Sequence, residues 1–285
     1  LIGSIIGVSG AGILSDYLGR KLTMFISAIL FFVSALGCAI TSDFTGLVLY
    51  RMIGGMGIGV ASIVSPIYIS EISVAKYRGS MVSLYQLAIT VGFLAAYLVN
   101  FLLSGLSVER IFSNPALYKI FNAEVWRAML GMETIPALMF LLMLFFVPES
   151  PRWLIMKNKP STGENILFRI YKSEKEVSNQ IATIKESTAT ETRSEWAWLL
   201  KPGIFRAVLI GVAIAMLGQF MGVNAVLYYG PTIFEESGLS KGDSLFYQVM
   251  VGIVNMGTTI IALLIIDKVG RKKLVYWGVS GMIIS

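Results

Sequence analysis

The sequence predicts an all-α membrane protein, a bundle of eight full or partial transmembrane helices. Three observations carry this. Of 285 residues, 55% are hydrophobic and only 14% are charged, against about a quarter charged in soluble domains, and the mean hydropathy is +0.74. The apolar residues arrive in blocks near 1–14, 22–40, 46–70, 80–104, 127–147, 206–230, 245–266 and 274–285, most of them close to the roughly 20 residues that cross a bilayer as a helix. The blocks are unbroken runs of Leu, Ile, Val and Phe with freely placed Gly, unlike the alternating pattern of an outer-membrane barrel. The first and last blocks read as cut helices, and no secretory leader is visible.

Charge gives the orientation. The turns at 20–21 and 76–78, the stretch 152–206 and the turn at 268–273 hold eighteen of the 23 Lys and Arg. The positive-inside rule therefore makes these loops cytoplasmic, including the long one at 148–205. The net charge of +6 is a topology signal and does not call for nucleic acid, because the bases flank spans and form no aromatic-interleaved stripe. With no His and one Cys, Cys38, in an apolar helix, a His-based metal site, a catalytic triad and an internal disulfide are excluded. No cofactor and no enzymatic activity are expected. The chain divides into a first bundle at 1–147, an amphipathic helical linker at 148–205 and a second bundle at 206–285.

The first block runs into SDYLGRKL (15–22), where Asp16 ends one helix and Arg20 and Lys21 open the next. Bases at a helix N-terminus oppose the macrodipole, so something must compensate them. The third block carries Gly54, Gly55, Gly57 and Gly59, small residues that let helices approach closely. It also holds Arg51, which with Glu133 of the fifth block lies roughly 8 to 10 Å inside the outer surface at 1.5 Å per residue. Intramembrane charges cost about 2.5 to 3.5 kcal/mol each on insertion scales and pair or line a pathway. Pro136 frees the carbonyl of Met132 beside that acid.

In the fourth block Gln86, Thr90, Phe93, Tyr97 and Asn100 share a face within about 40° of Gln86 at 100° per residue. Such a stripe lines water or a substrate path, or makes interhelical hydrogen bonds. In the linker Ile166, Ile170, Val177, Ile181 and Ile184 recur at helical spacing, which predicts short amphipathic helices. In the sixth block Gly211, Ala215, Gly218 and Gly222 form another small-residue stripe. Gln219 and Asn224 there lie about 140° apart on a regular helix, so only an irregular one aims both at one cavity, and Gly218, Gly222, Gly230 and Pro231 make irregularity plausible. The seventh block ends in IDKVGRKKL (266–274), a second copy of the first turn. Repeated helix–turn–helix signatures in two halves mark a transporter built by duplication. Asp16, Arg20, Glu71, Arg78, Glu149, Arg152, Asp267 and Arg271 then read as an ion-pair network that can break when the halves rock, or as plain positive-inside topology.

These residues resemble a known family. Gly12-x-x-x-Asp16-x-x-Gly19-Arg20-Lys21 is similar to the signature loop of the major facilitator superfamily, with Asp267-Lys268-x-Gly270-Arg271-Lys272 as its second copy and Leu263 in place of the leading glycine. PESPRWL (148–154), YRMIGGMGIG (50–59), PIYISE (66–71) with Arg78-Gly79, and QFMGVNAVLYYGP (219–231) together resemble the sugar porter family. The resemblance implies a twelve-helix major facilitator fold, of which this chain supplies the second through eighth helices and the start of the ninth. It implies a monomeric transporter in the plasma or inner membrane, taking up a pentose or hexose by alternating access with protons as the coupled ion. A facilitative uniporter and a non-transporting sugar receptor on the same fold are the alternatives. It carries sugar-binding roles onto Gln86, Gln219 and Asn224, places Tyr228, also a substrate contact, and Tyr229 near an extracellular gate, and carries proton coupling onto Glu133 and Arg51. Gly218 departs from the pattern, since many members have a second glutamine there.

Overall fold

The structure, a computed structural model, describes residues 1–106, 118–191 and 202–284. The helices are α1 (Ile2–Leu18), α2 (Arg20–Ile40), α3 (Phe44–Ile72), α4 (Arg78–Leu106), α5 (Val125–Gly131), α6 (Thr134–Phe146), α7 (Pro151–Met156), α8 (Pro160–Tyr171), α9 (Glu174–Glu191), α10 (Pro202–Phe220), α11 (Val223–Glu236), α12 (Lys241–Val269) and α13 (Arg271–Ile284). Six stretches are long and apolar enough to cross a membrane; α5 with α6 and α10 with α11 each make one such stretch. This is a multi-pass membrane protein. Of the shorter helices α1 is apolar as well, and α13 lies where the eighth block was expected.

Glycine explains how α1, α2 and α3 pack. In lipid no hydrophobic drive separates helix from tail, so close van der Waals approach must supply the contact. A Cβ on Gly55 would press on Gly3 and Ser4, one on Gly59 would overlap the backbone of Ser4 and Val8, and one on Gly54 would overlap Ser34. On the linker side of this seam Ala11, Met24, Ala28, Val60, Val64, Tyr68 and Leu144 form a buried core. At the far side the buried Arg127 ties α5 to the end of α2, donating to the Thr41 and Ala39 carbonyls and to Glu124.

Two spanning stretches are broken. Between α5 and α6 the chain turns at Met132 and Glu133. The Met132 carbonyl is not free as expected: the Ile135 amide donates to it at 3.2 Å, a shortened turn that absorbs the missing Pro136 N–H. Between α10 and α11, Gly222 takes φ 78°, ψ 6° and starts a new helix. The stripe of Gly211 and Gly218 on α10 meets no described neighbour within 4 Å, so it is not a packing seam among the described residues.

The described part of the linker forms three helices before α10, with their own small core of Ile155, Leu167 and Val177, flanked by Tyr171, Ile181 and Ile184. Pro151 does not merely stop the preceding helix. It is the first residue of α7, with Ser150 as N-cap accepting from the Trp153 amide at 3.3 Å, the position where a missing N–H does no harm.

Candidate functional site

The linker-side network is built around Arg20, buried at the start of α2. Its guanidinium reaches both Glu71 oxygens, Nε to Oε2 and Nη2 to Oε1, each at 3.0 Å. Nη1 donates to Asp16 Oδ1 and to the Ser15 carbonyl, both at 3.0 Å. Such a bidentate, charge-assisted pair fixes geometry as well as charge. Glu149 resolves the odd electrostatics of two bases at a helix start. Its carboxylate accepts from the Arg20 amide at 3.0 Å, the Lys21 amide at 3.1 and 3.2 Å, and the Ser150 amide at 2.8 Å. Gly19, with no side chain, leaves those amides open, and the acid from 128 residues away caps them. Ser150 donates to Glu71 at 2.6 Å and Trp153 to the Asp16 carbonyl at 3.0 Å.

The bonds of Arg20, Glu71, Glu149 and Ser150 join the first bundle to itself or to α7. Arg78 is exposed and makes no ion pair among the described residues. It shares a cavity of about 200 Å³ with Glu71, Arg152 and Gln180. The Asp267 and Arg271 side chains lie outside the described residues.

Across the membrane region, Arg51 Nη1 approaches Glu133 Oε1 to 3.7 Å. The equal depths computed from helix rise bring the two charges together as a pair. Glu133 sits at the α5–α6 break, where the backbone leaves the regular helix.

The amides behave as an irregular helix requires. The break at Gly222 swings Asn224 round so that its Nδ2 donates to Gln219 Oε1 at 2.6 Å. Neither amide is buried, so their remaining donors and acceptors are open. Tyr228, one turn further along α11, meets Phe93 of α4 with ring centroids 6.1 Å apart. The polar face of α4 divides in two. Tyr97 makes an interhelical bond, its hydroxyl donating to the Leu227 carbonyl at 2.8 Å, while Gln86 is exposed and makes no hydrogen bond with the described residues. Seven residues separate Gln86 from Phe93, about 10 Å along the helix.

The sequence profile described as "Sugar (and other) transporter" matches residues 1–285. The chain belongs to the sugar transporter family. It is 38% identical over its whole length to the D-xylose-proton symporter of Escherichia coli K12, of which it covers 59%. It is 38% identical to the arabinose-proton symporter of Bacillus subtilis, again covering 59%, and 36% identical to the glucose transporter GlcP of Staphylococcus epidermidis, covering 60%. The structure of the proton:xylose symporter XylE bound to 6-bromo-6-deoxy-D-glucose superposes with a TM-score of 0.80 at 36% identity, over 96% of this chain and 59% of that one. The chain thus spans about 60% of the length of the curated relatives it matches.

Within this sugar transporter fold, sequence reasoning missed three contributors. Gln248 is buried on α12 and donates to the Leu227 carbonyl at 3.1 Å. Ser150 is buried between Glu71 and α7. Tyr68 donates to the Pro148 carbonyl at 2.8 Å, fixing the end of the first bundle. The available signal for Gln248 was indirect: Pro231 has no N–H, so the carbonyl four residues earlier, Leu227, needs another donor.

Proposed function

We propose that the whole protein is a secondary active transporter that carries a pentose or hexose across the membrane by alternating access, in symport with protons. The observation that carries this is the amide pair at the α10–α11 break, Gln219 and Asn224 held 2.6 Å apart in a discontinuous membrane helix. Discontinuous helices build transporter sites. Amides suit sugars, because each offers a donor and an acceptor to a hydroxyl pair. Gln86 completes the sugar site from α4, and Tyr228 closes over it. The symporters among the relatives, named for xylose and for arabinose, agree with a monosaccharide as substrate.

Glu133 carries the proton and Arg51 is its counter-charge. The pair sits at a helix break, where a carboxylate gains or loses its proton as the surrounding helices rearrange. The 148–205 linker faces the cytoplasm of a cell membrane, since it holds the excess of Lys and Arg. One polypeptide contains the route, and the bilayer is its other partner.

Proteoliposomes of the whole protein, loaded alkaline inside, provide the test. Radiolabelled D-xylose, L-arabinose and D-glucose are offered in turn, and at least one accumulates above its outside concentration. Glu133→Gln abolishes accumulation and leaves exchange between equal sugar pools within a few-fold of wild type, because exchange needs binding and rocking but no net proton movement. Wild-type accumulation by the Gln variant removes Glu133 from coupling. Failure of every sugar to enter overturns the transport reading.

A further inference from the structure

Leu227 stands four residues before Pro231, so its carbonyl lacks the usual helical donor four residues on. A backbone acceptor without a donor is costly inside a membrane. Two side chains answer it. Tyr97 donates its hydroxyl at 2.8 Å and Gln248 its amide at 3.1 Å; the same amide also lies 3.4 Å from the Val226 carbonyl.

The two donors come from opposite halves. Gln248, on α12, belongs to the same half as Leu227 and is 1% exposed. Its place is made by Gly230, where a Cβ would overlap the amide. Tyr97, on α4, belongs to the other half. Its ring fits over Gly252, where a Cβ would crowd it, and tilts against Phe93 with centroids 6.1 Å apart. One donor therefore travels with the carbonyl, and the other is fixed to the half that moves past it.

We propose that Tyr97 and Gln248 form a two-point latch on the Leu227 carbonyl, Tyr97 holding the bend of α11 when α4 and α11 are docked and releasing it when they part, Gln248 keeping the carbonyl satisfied throughout. Tyr97 is a positioning residue that sets how much of the protein is docked. Gln248 lowers the penalty of release, because with it in place undocking removes a second hydrogen bond and leaves no orphan. The inference rests on the alternating-access reading above, but its readout does not.

The experiment measures spin-label distances in the whole protein in lipid nanodiscs, with labels at the exposed positions Leu98 and Ile233 in a Cys38→Ser background. Tyr97→Phe keeps the ring and loses the donor. It lowers the ratio of docked to undocked protein about fivefold, the worth of a hydrogen bond of about 1 kcal/mol. Gln248→Met, similar in shape but without a donor, raises the ratio, since release now strands the carbonyl. In that background Tyr97→Phe shifts the ratio by more than fivefold. An unchanged distribution in Tyr97→Phe, or an equal shift in both backgrounds, overturns the latch. If Gln248→Met fails to fold, Tyr97→Phe alone decides. A wild type that transports no sugar removes the transport reading and leaves the latch standing; a transporting wild type with unmoved distances removes the latch alone.

Discussion

Replacing Glu149 tests whether one acid holds the start of α2 against its own two bases. Its carboxylate is the acceptor for the Arg20, Lys21 and Ser150 amides at 2.8 to 3.2 Å, and Gly19 provides no side-chain cap. Losing an N-cap acceptor costs about 0.5 to 2 kcal/mol, and losing a partly buried charge at the positive end of a helix dipole costs up to about 2 kcal/mol more. Glu149→Ala therefore loosens the α2 start and the attached α7 by about 2 to 3 kcal/mol, and Glu149→Gln, which keeps an oxygen, by about 1 to 2 kcal/mol. Hydrogen exchange reads this locally, since each amide reports its own opening free energy. Protection at residues 20–23 and 150–153 falls roughly 30-fold or more in the Ala variant at about 2 kcal/mol, and less in Gln, while residues 55–64 in the glycine seam stay unchanged. Undiminished protection at 20–23, or an equal loss throughout α3, refutes the argument.

Three further outcomes follow from the same geometry. Gly19→Ala puts a side chain at φ 97°, ψ 165° and against the Glu149 carboxylate; the backbone alone costs about 1 to 3 kcal/mol, so protection at 20–23 falls at least as far as in Glu149→Ala. The Gly46 amide donates to Asp43 at 2.8 Å and holds that carboxyl below the usual carboxylate range. A depressed folded pKa adds stability above the unfolded value of about 4 that is lost as pH falls through the lower folded one, so the far-side end of α3 frays in acid, and Asp43→Asn removes the acid-induced fall in protection at Gly46 measured relative to the intrinsic exchange rate at each pH. Gln86→Ala and Asn224→Ala each weaken sugar binding by about 1 to 3 kcal/mol through a lost hydrogen-bond partner, measured by calorimetry on the whole protein; near-native affinity in both removes them from the sugar site.

What was legible in the sequence tracks the range of the interaction. Apolar blocks are local, and each became helical near its predicted place, two of them as a pair of helices with a break between. The break at Gly222 was legible because glycines cluster there and because Gln219 and Asn224 made no sense on one regular helix. The break at Met132–Glu133 was half legible: Pro136 announced a missing hydrogen bond, but not that the chain would turn to recover it from Ile135. Arg51 and Glu133 met because equal depth is computable from helix rise. The linker-side charges were named, but not the partners each would take. Pattern shows that Arg20, Glu71 and Glu149 share one side of the membrane; it does not show that Glu149 spends its carboxylate on backbone amides far away in sequence. Gln248 was passed over because a single amide in an apolar run has no periodic partner.

The wiring on the linker side bears on where motion can occur. Arg20, Glu71, Glu149 and Ser150 fasten α7 to the first bundle with bonds of 2.6 to 3.2 Å, and the glycine seam leaves no slack between α1, α2 and α3. That unit has nothing to yield: its backbone contacts are too close to slide and its charges too well paired to exchange. The second half differs, because α10 and α11 are parted by a glycine in the left-handed region and α11 contains Pro231. A helix broken at both places can bend without giving up a ladder of hydrogen bonds, provided the freed Leu227 carbonyl keeps a donor. Gln248 supplies one from within that half and Tyr97 another from across the interface. The first bundle is thus the tightly packed surface, and the element against it with a break and a proline is the segment that carries Gln219, Asn224 and Tyr228, so the proposed sugar site lies on the part of the chain that is built to bend.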